Sequence, residues 1–190
     1  MSTAAASTTH DEHRLTIDEL ADAVGDRPGE LVRGRFIDVP PTGEPHAALE
    51  ATLTYELSRH VKAKGLGKVL CGEIGIITRR NPDTVRGADV AFISKARLAR
   101  HGTGSGYLDV APELVIKIIS PHDRWTEIND KLDEYFATGV DSVSLVNPKR
   151  RRVSVYRSPT DMTLVDASGT LTGGDILPGL ALPVGDLFGD

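Results

Sequence analysis

Pro112-Glu-Leu-Val-Ile-Lys-Ile-Ile-Ser-Pro121 is the segment from which the rest of the chain can be read. From Leu114 to Ile119 it is apolar and mostly β-branched, with one interruption at Lys117. That composition suits a strand at the centre of a sheet, covered on both faces. Ser120-Pro-His-Asp123 follows as a helix-start signal, so the segment predicts a strand and then a helix. Strand alternation places residues 113, 115, 117 and 119 on one face. A lysine among Val115 and Ile119 needs a partner, because an unpaired charge is costly to bury. About thirty residues upstream, a second apolar strand, Ala88-Asp-Val-Ala-Phe-Ile93, carries Asp89. A carboxylate facing a charged residue on the next strand is one way to hold a metal ion for phosphodiester cleavage. Here the second charge is positive, and an ammonium has no lone pair to offer Mg²⁺.

The flanking segments predict an α+β fold of one mixed central sheet with helices on it, and an N-terminal β-hairpin. Thr16-Ile-Asp-Glu19 is a capping box opening a short helix through about Val24. Glu30-Leu-Val-Arg33 and Arg35-Phe-Ile-Asp-Val39 predict a hairpin turning at Gly34. After the rigid Pro40-Pro-Thr-Gly-Glu-Pro45, a helix is expected from about His46 to Lys64. Leu49, Leu53, Leu57 and Val61 form its buried stripe, and Gly65 its left-handed cap. Strands are expected at about 68–71, 73–78 and 87–93, with Asn81-Pro-Asp83 turning between the last two. Ala96–Arg100 reads as a helical turn, and 142–146 with 152–156 as a hairpin around Asn147-Pro-Lys-Arg-Arg-Arg152.

With 190 residues, the chain suffices for one domain, expected over 14–190 after a disordered tail at 1–13. That tail lacks the basic and apolar regions of a signal peptide, and no apolar run reaches the roughly 20 residues of a membrane span. The single cysteine, Cys71, excludes an internal disulfide and a zinc knuckle; it is expected to be a small buried residue. A cytoplasmic location follows as the expectation. The net charge of −5 argues against non-specific nucleic-acid binding as the main task, though not against a local basic groove.

Several stretches together resemble the Uma-two family of restriction-endonuclease-like proteins. They are Glu30-Leu-Val-x-Gly34 followed by the proline-rich loop, His46 and the long helix; Glu73-Ile-Gly75; Arg86-Gly-Ala-Asp-Val90; and the 112–121 segment. Lys131-x-x-x-Tyr135 with Ala137-x-Gly139, the Asn147-Pro turn, Gly173-Gly-Asp-Ile-Leu-Pro-Gly179 and Leu182-Pro-Val-x-x-Leu-Phe188 complete the set. The resemblance spans about 30–188 and rests on order and spacing. It implies a branch of the PD-(D/E)XK nucleases: a restriction-endonuclease-like sheet, Mg²⁺-dependent (or Mn²⁺-dependent) hydrolysis of DNA, and a homodimer. Two positions depart from the family pattern. Ala88 stands where proline is usual, which affects only the backbone, and Lys117 stands where glutamate is usual.

The resemblance assigns Asp89 as first metal ligand, Glu73 as a possible second, and Lys131 as a contact for developing phosphate charge. Lys117 then pairs with Asp89 and competes with the metal. At roughly 4 Å and an effective dielectric of about 20, the attraction is about 4 kcal/mol before desolvation. Two outcomes stay open: a disabled site, or one in which Glu73 and Asp89 hold a single metal while Lys117 acts as the lysine of the broader nuclease fold. A third is a non-catalytic dimeric module binding nucleic acid or a protein. Glu113 is expected to be exposed, and His46 to be structural. Lys149-Arg-Arg-Arg152 is expected to be a solvated turn and Gly102-Thr-Gly-Ser-Gly106 a flexible loop. His60, His101 and His122 lack zinc-ligand spacing.

Overall fold

The computed structural model describes residues 14–25, 27–102, 106–121 and 123–189, so the expected tail at 1–13, His122 and the middle of the glycine-rich loop lie outside the described residues. Helix α1 (Ile17–Val24) starts at the expected capping box: the Glu19 amide donates to Thr16 Oγ1 and the Thr16 amide to Glu19 Oε2. Strands β1 (Gly29–Val32) and β2 (Arg35–Asp38) form the hairpin. Its two turn residues, Arg33 and Gly34, both have positive φ (52° and 79°), the handedness that matches strand twist in a two-residue turn. Helix α2 (Glu44–Lys64) buries Leu49, Leu53, Leu57 and Val61 and ends on left-handed Gly65.

Strand β3 (Gly67–Arg79) runs antiparallel to β4 (Thr84–Ser94). The sequence predicts two short strands over the first; the structure has one, with the register broken between Cys71 and Ile74. The cause is a bulge at Gly72 and Glu73, whose φ values are 88° and 53°. Cys71 is exposed, not buried: it stands beside this bulge, where β3 pairs with β4 on one side, so solvent reaches it.

The short helix α3 (Lys95–Leu98) is capped by Ser94. Strand β5 (Leu114–Ile118) pairs antiparallel with β4 and parallel with β6 (Ser142–Asn147), and α4 (Trp125–Thr138) makes the crossover between β5 and β6. Helix α4 begins later than expected because Asp123 accepts the Ser120 amide at 2.8 Å, closing a turn instead of capping the helix. Strands β7 (Arg152–Ser158) and β8 (Asp161–Val165) extend the sheet to order β2-β1-β4-β5-β6-β7-β8, with β3 also on β4. A small second sheet joins β9 (Thr170–Thr172) to β10 (Ala181–Pro183).

This is the mixed α+β sheet expected, with β5 at its centre. Alternation along β5 divides the core. Leu114, Ile116 and Ile118 pack with α2 and the closing segment, while Val115 packs with Ile128, Leu132 and Tyr135 of α4. Glu113 is half-buried rather than exposed, because the Ser94 amide donates to it and Arg97 pairs with it at 3.2 Å. Within the 149–152 turn, Arg151 is tied down by donating to the carbonyls of Gly185 and Gly189. No helix among the described residues is long and apolar enough to cross a membrane.

Candidate functional site

Register decides the site. The pairings of Val90 with Ile116 and Ala91 with Val115 set Asp89 across from Lys117, one step further along. Lys117 Nζ lies 2.9 Å from Asp89 Oδ1, and the Ile118 amide donates to Asp89 Oδ2. The Asp89 side chain has no solvent exposure at all. The β3 bulge turns Glu73 inward, bringing its Oε1 to 3.7 Å from the same ammonium. A fourth group comes from the first turn of α2: His46 Nε2 is buried, 3.4 Å from Asp89 Oδ1, and makes no hydrogen bond.

Charges here are held by their neighbours. Burial acts to raise the Asp89 pKa, but His46, Lys117 and the Ile118 amide outweigh it and hold the carboxyl down to about 2. Burial acts to lower Lys117, yet the charges of Asp89 and Glu73 keep its pKa above the ordinary value. Desolvation pushes Glu73 up to about 7, Lys117 opposing and Asp89 reinforcing. The Asp89 carboxylate raises His46 above its ordinary value, against burial.

Glu73 therefore gives a pH test. The folded protein keeps a proton that the unfolded chain releases above about 4.5, so Glu73 makes stability fall as pH rises from about 4.5 to about 7. Asp89 acts oppositely and far lower, adding stability between about 2 and 3.8. His46 adds to the fall above 6.5, because its raised pKa favours the folded state only while it is protonated. Melting temperatures measured across this range are expected to show a shallower decline in Glu73→Gln than in the wild type. Parallel profiles for the two proteins would contradict the assignment.

The residues present do not fit a Mg²⁺ or Mn²⁺ ion. Both Asp89 oxygens are engaged, and Lys117 places a positive charge between Asp89 and Glu73 where a cation would need oxygen donors. Among the described residues, no group of three His, Cys, Asp or Glu side chains is arranged to hold a metal.

Lys131 is drawn into a second, adjoining network. Its Nζ lies 2.9 Å from Glu30 Oε1 of β1. Glu30 also accepts the Gly87 amide at 2.7 Å and Arg86 Nη1 at 3.1 Å. The Arg86 fork continues to Glu134 on α4, with Nε at 2.6 Å and Nη2 at 3.1 Å, and Tyr135 donates to the Gly87 carbonyl at 2.6 Å. Gly87 joins the two networks: a Cβ there would stand 2.6 Å from Glu73 Oε2 and 3.4 Å from Glu30 Oε1. So the structure brings Asp89, Lys117 and Glu73 together as expected and sets Lys131 beside them, against Glu30.

Sequence reasoning missed His46, Glu30, Arg86 and Glu134. Arg86 did carry a signal, as a guanidinium in a strand three residues before Asp89. Glu30 carried another, as an acid opening a hairpin strand ahead of Leu31 and Val32.

A family model described as "Putative restriction endonuclease", Uma2, matches residues 18–185. Among solved structures, the chain is similar to one described as a "putative nuclease belonging to DUF820" from Anabaena variabilis. The two share 20% identity, cover 92% of this chain and 97% of that one, and superimpose with a TM-score of 0.78, a likeness of fold. No curated protein matches the chain.

Proposed function

Because the chain belongs to the Uma2 family of restriction-endonuclease-like proteins, we propose that it is a DNA-binding member of a nuclease family whose metal-dependent cutting step is disabled. The observation supporting this is the Lys117 ammonium, 2.9 Å from the buried carboxylate expected to hold the metal. A cation fixed by the chain itself neutralises Asp89, so the carboxylate has little left to offer Mg²⁺. Phosphate contact then falls to basic side chains at the cleft, against an overall charge of −5, so affinity is expected to be modest and sensitive to salt. The homodimer implied by the resemblance belongs to the same proposal.

The test combines fluorescence anisotropy on labelled oligonucleotides with nicking of supercoiled plasmid in Mg²⁺ or Mn²⁺. Binding that weakens as salt rises, with no nicking above the metal-only control, is expected. Metal-dependent nicking that disappears in Asp89→Ala would instead establish the active reading, in which Glu73 and Asp89 share one ion and Lys117 is a working lysine.

A further inference from the structure

The cations inside the cleft are already taken. Lys117 is paired with Asp89 and Glu73, and Lys131 with Glu30. Asp123 and Glu127 line the same cavity, and Arg124 pairs with Glu127 at 3.9 Å. A phosphate group at the cleft therefore needs donors from elsewhere. The run Lys149-Arg-Arg-Arg152 offers them. None of its side chains pairs with a carboxylate among the described residues, although the chain carries 27 Asp and Glu against 22 Lys and Arg. Register puts this run beside the cleft. Strands β5 and β6 are parallel, with Lys117 beside Leu145 and Ile118 beside Val146. The Ile119 amide donates to the Val146 carbonyl, so both segments leave the sheet at the same end. Leu145 lines the cavity with Lys117 and Lys131, and Lys149 follows four residues later. At about 3.3 Å per strand residue and about 4.8 Å between strands, the Lys149 backbone stands on the order of 10–15 Å from that of Lys117. That span matches about three or four base steps of about 3.4 Å.

The turn is held in shape by its own side chains. Asn147 Oδ1 accepts the Arg150 amide at 3.0 Å. Arg151 takes a left-handed conformation, φ 46°, which strains a residue other than glycine. Its guanidinium offsets that strain by donating to the carbonyls of Gly185 and Gly189, and it lies 5.7 Å from the Phe188 ring. Lys149 and Arg150 are left exposed on this fixed backbone. We propose that Lys149 and Arg150 grip the phosphodiester backbone of DNA where it crosses the mouth of the cleft, supplying affinity without reading sequence. This rests on the DNA-binding reading above and names the residues that carry it.

Anisotropy of a labelled duplex is followed from about 50 to about 200 mM salt. The proteins are the wild type, Lys149→Gln combined with Arg150→Gln, and a control, Lys62→Gln combined with Lys68→Gln. The control removes the same charge from exposed positions away from the site. Lys62 lies near the far end of α2 from His46, about 24 Å along the helix, and Lys68 pairs with Ile93, four residues along β4 from Asp89. The 149/150 variant should lower the slope of log affinity against log salt by about 1.8, so that the wild type's advantage shrinks about tenfold across the range. The control should keep the wild-type slope. This slope, unlike a single affinity, does not depend on the folded fraction. If the 149/150 variant keeps the wild-type slope, or the control loses as much, the grip is overturned and the DNA-binding reading stands. If the wild type binds no DNA even at low salt, that reading fails and takes the grip with it. Wild-type protein that pellets with phosphatidylserine vesicles and binds no DNA would assign the turn to a membrane surface, and would also overturn the proposal.

Discussion

Arg86→Met should lower the unfolding free energy by about 3–5 kcal/mol. The Arg86 guanidinium is nearly sealed from water between Glu30, itself nearly sealed, and Glu134. Burial acts to lower its pKa, and Glu134 and Glu30 more than reverse that, so the ion is held charged. Methionine fills similar volume but leaves, among the described residues, the Glu30 carboxylate with Lys131 and the Gly87 amide, and Glu134 with Thr78. Removing one partner of a buried pair costs far more than the pair contributes, because the other charge stays desolvated. Urea denaturation measures the loss, and Arg86→Met combined with Glu30→Gln should recover part of it. A loss under about 1 kcal/mol would mean that water already screens the network.

Lys117→Glu has the second large effect, with opposite signs depending on metal. Without metal, a third carboxylate joins Asp89 and Glu73 at the place where their shared counter-ion stood. Asp89, wholly buried, would keep His46 and the Ile118 amide among the described residues. A destabilisation of about 3–5 kcal/mol is expected. With a divalent ion the same cluster becomes an all-oxygen ligand set. An ion bound only by the folded state then restores stability, by about 2.7 kcal/mol at a hundred times its dissociation constant. The wild-type chain should show neither the loss nor the metal-dependent gain.

Much of the fold could be read locally. The 114–119 run marked the sheet centre because only a strand covered on both faces tolerates so many β-branched residues together. The four-residue spacing of Leu49 to Val61 and the Thr16–Glu19 box gave two helices for equally local reasons. What the sequence hid was non-local. The bulge at Gly72 and Glu73 fuses two expected strands into one, and depends on register with β4. The start of α4 shifts because Asp123 closes a turn. The same holds at the site. Period-two alternation and a known pattern were enough to pair Asp89 with Lys117. Glu30, Arg86 and Glu134 meet only after β1, β4 and α4 have packed, and His46 arrives from a helix forty-three residues before Asp89 in the chain.

The most direct measurement is a calorimetric titration of Mn²⁺ into the wild-type protein and Lys117→Glu, side by side in one buffer. No resolvable binding heat for the lysine form, and saturable binding for the glutamate form, are expected if the ammonium takes the place of a metal ion beside Asp89. Saturable binding to the wild type, as tight as to Lys117→Glu or tighter, would contradict it.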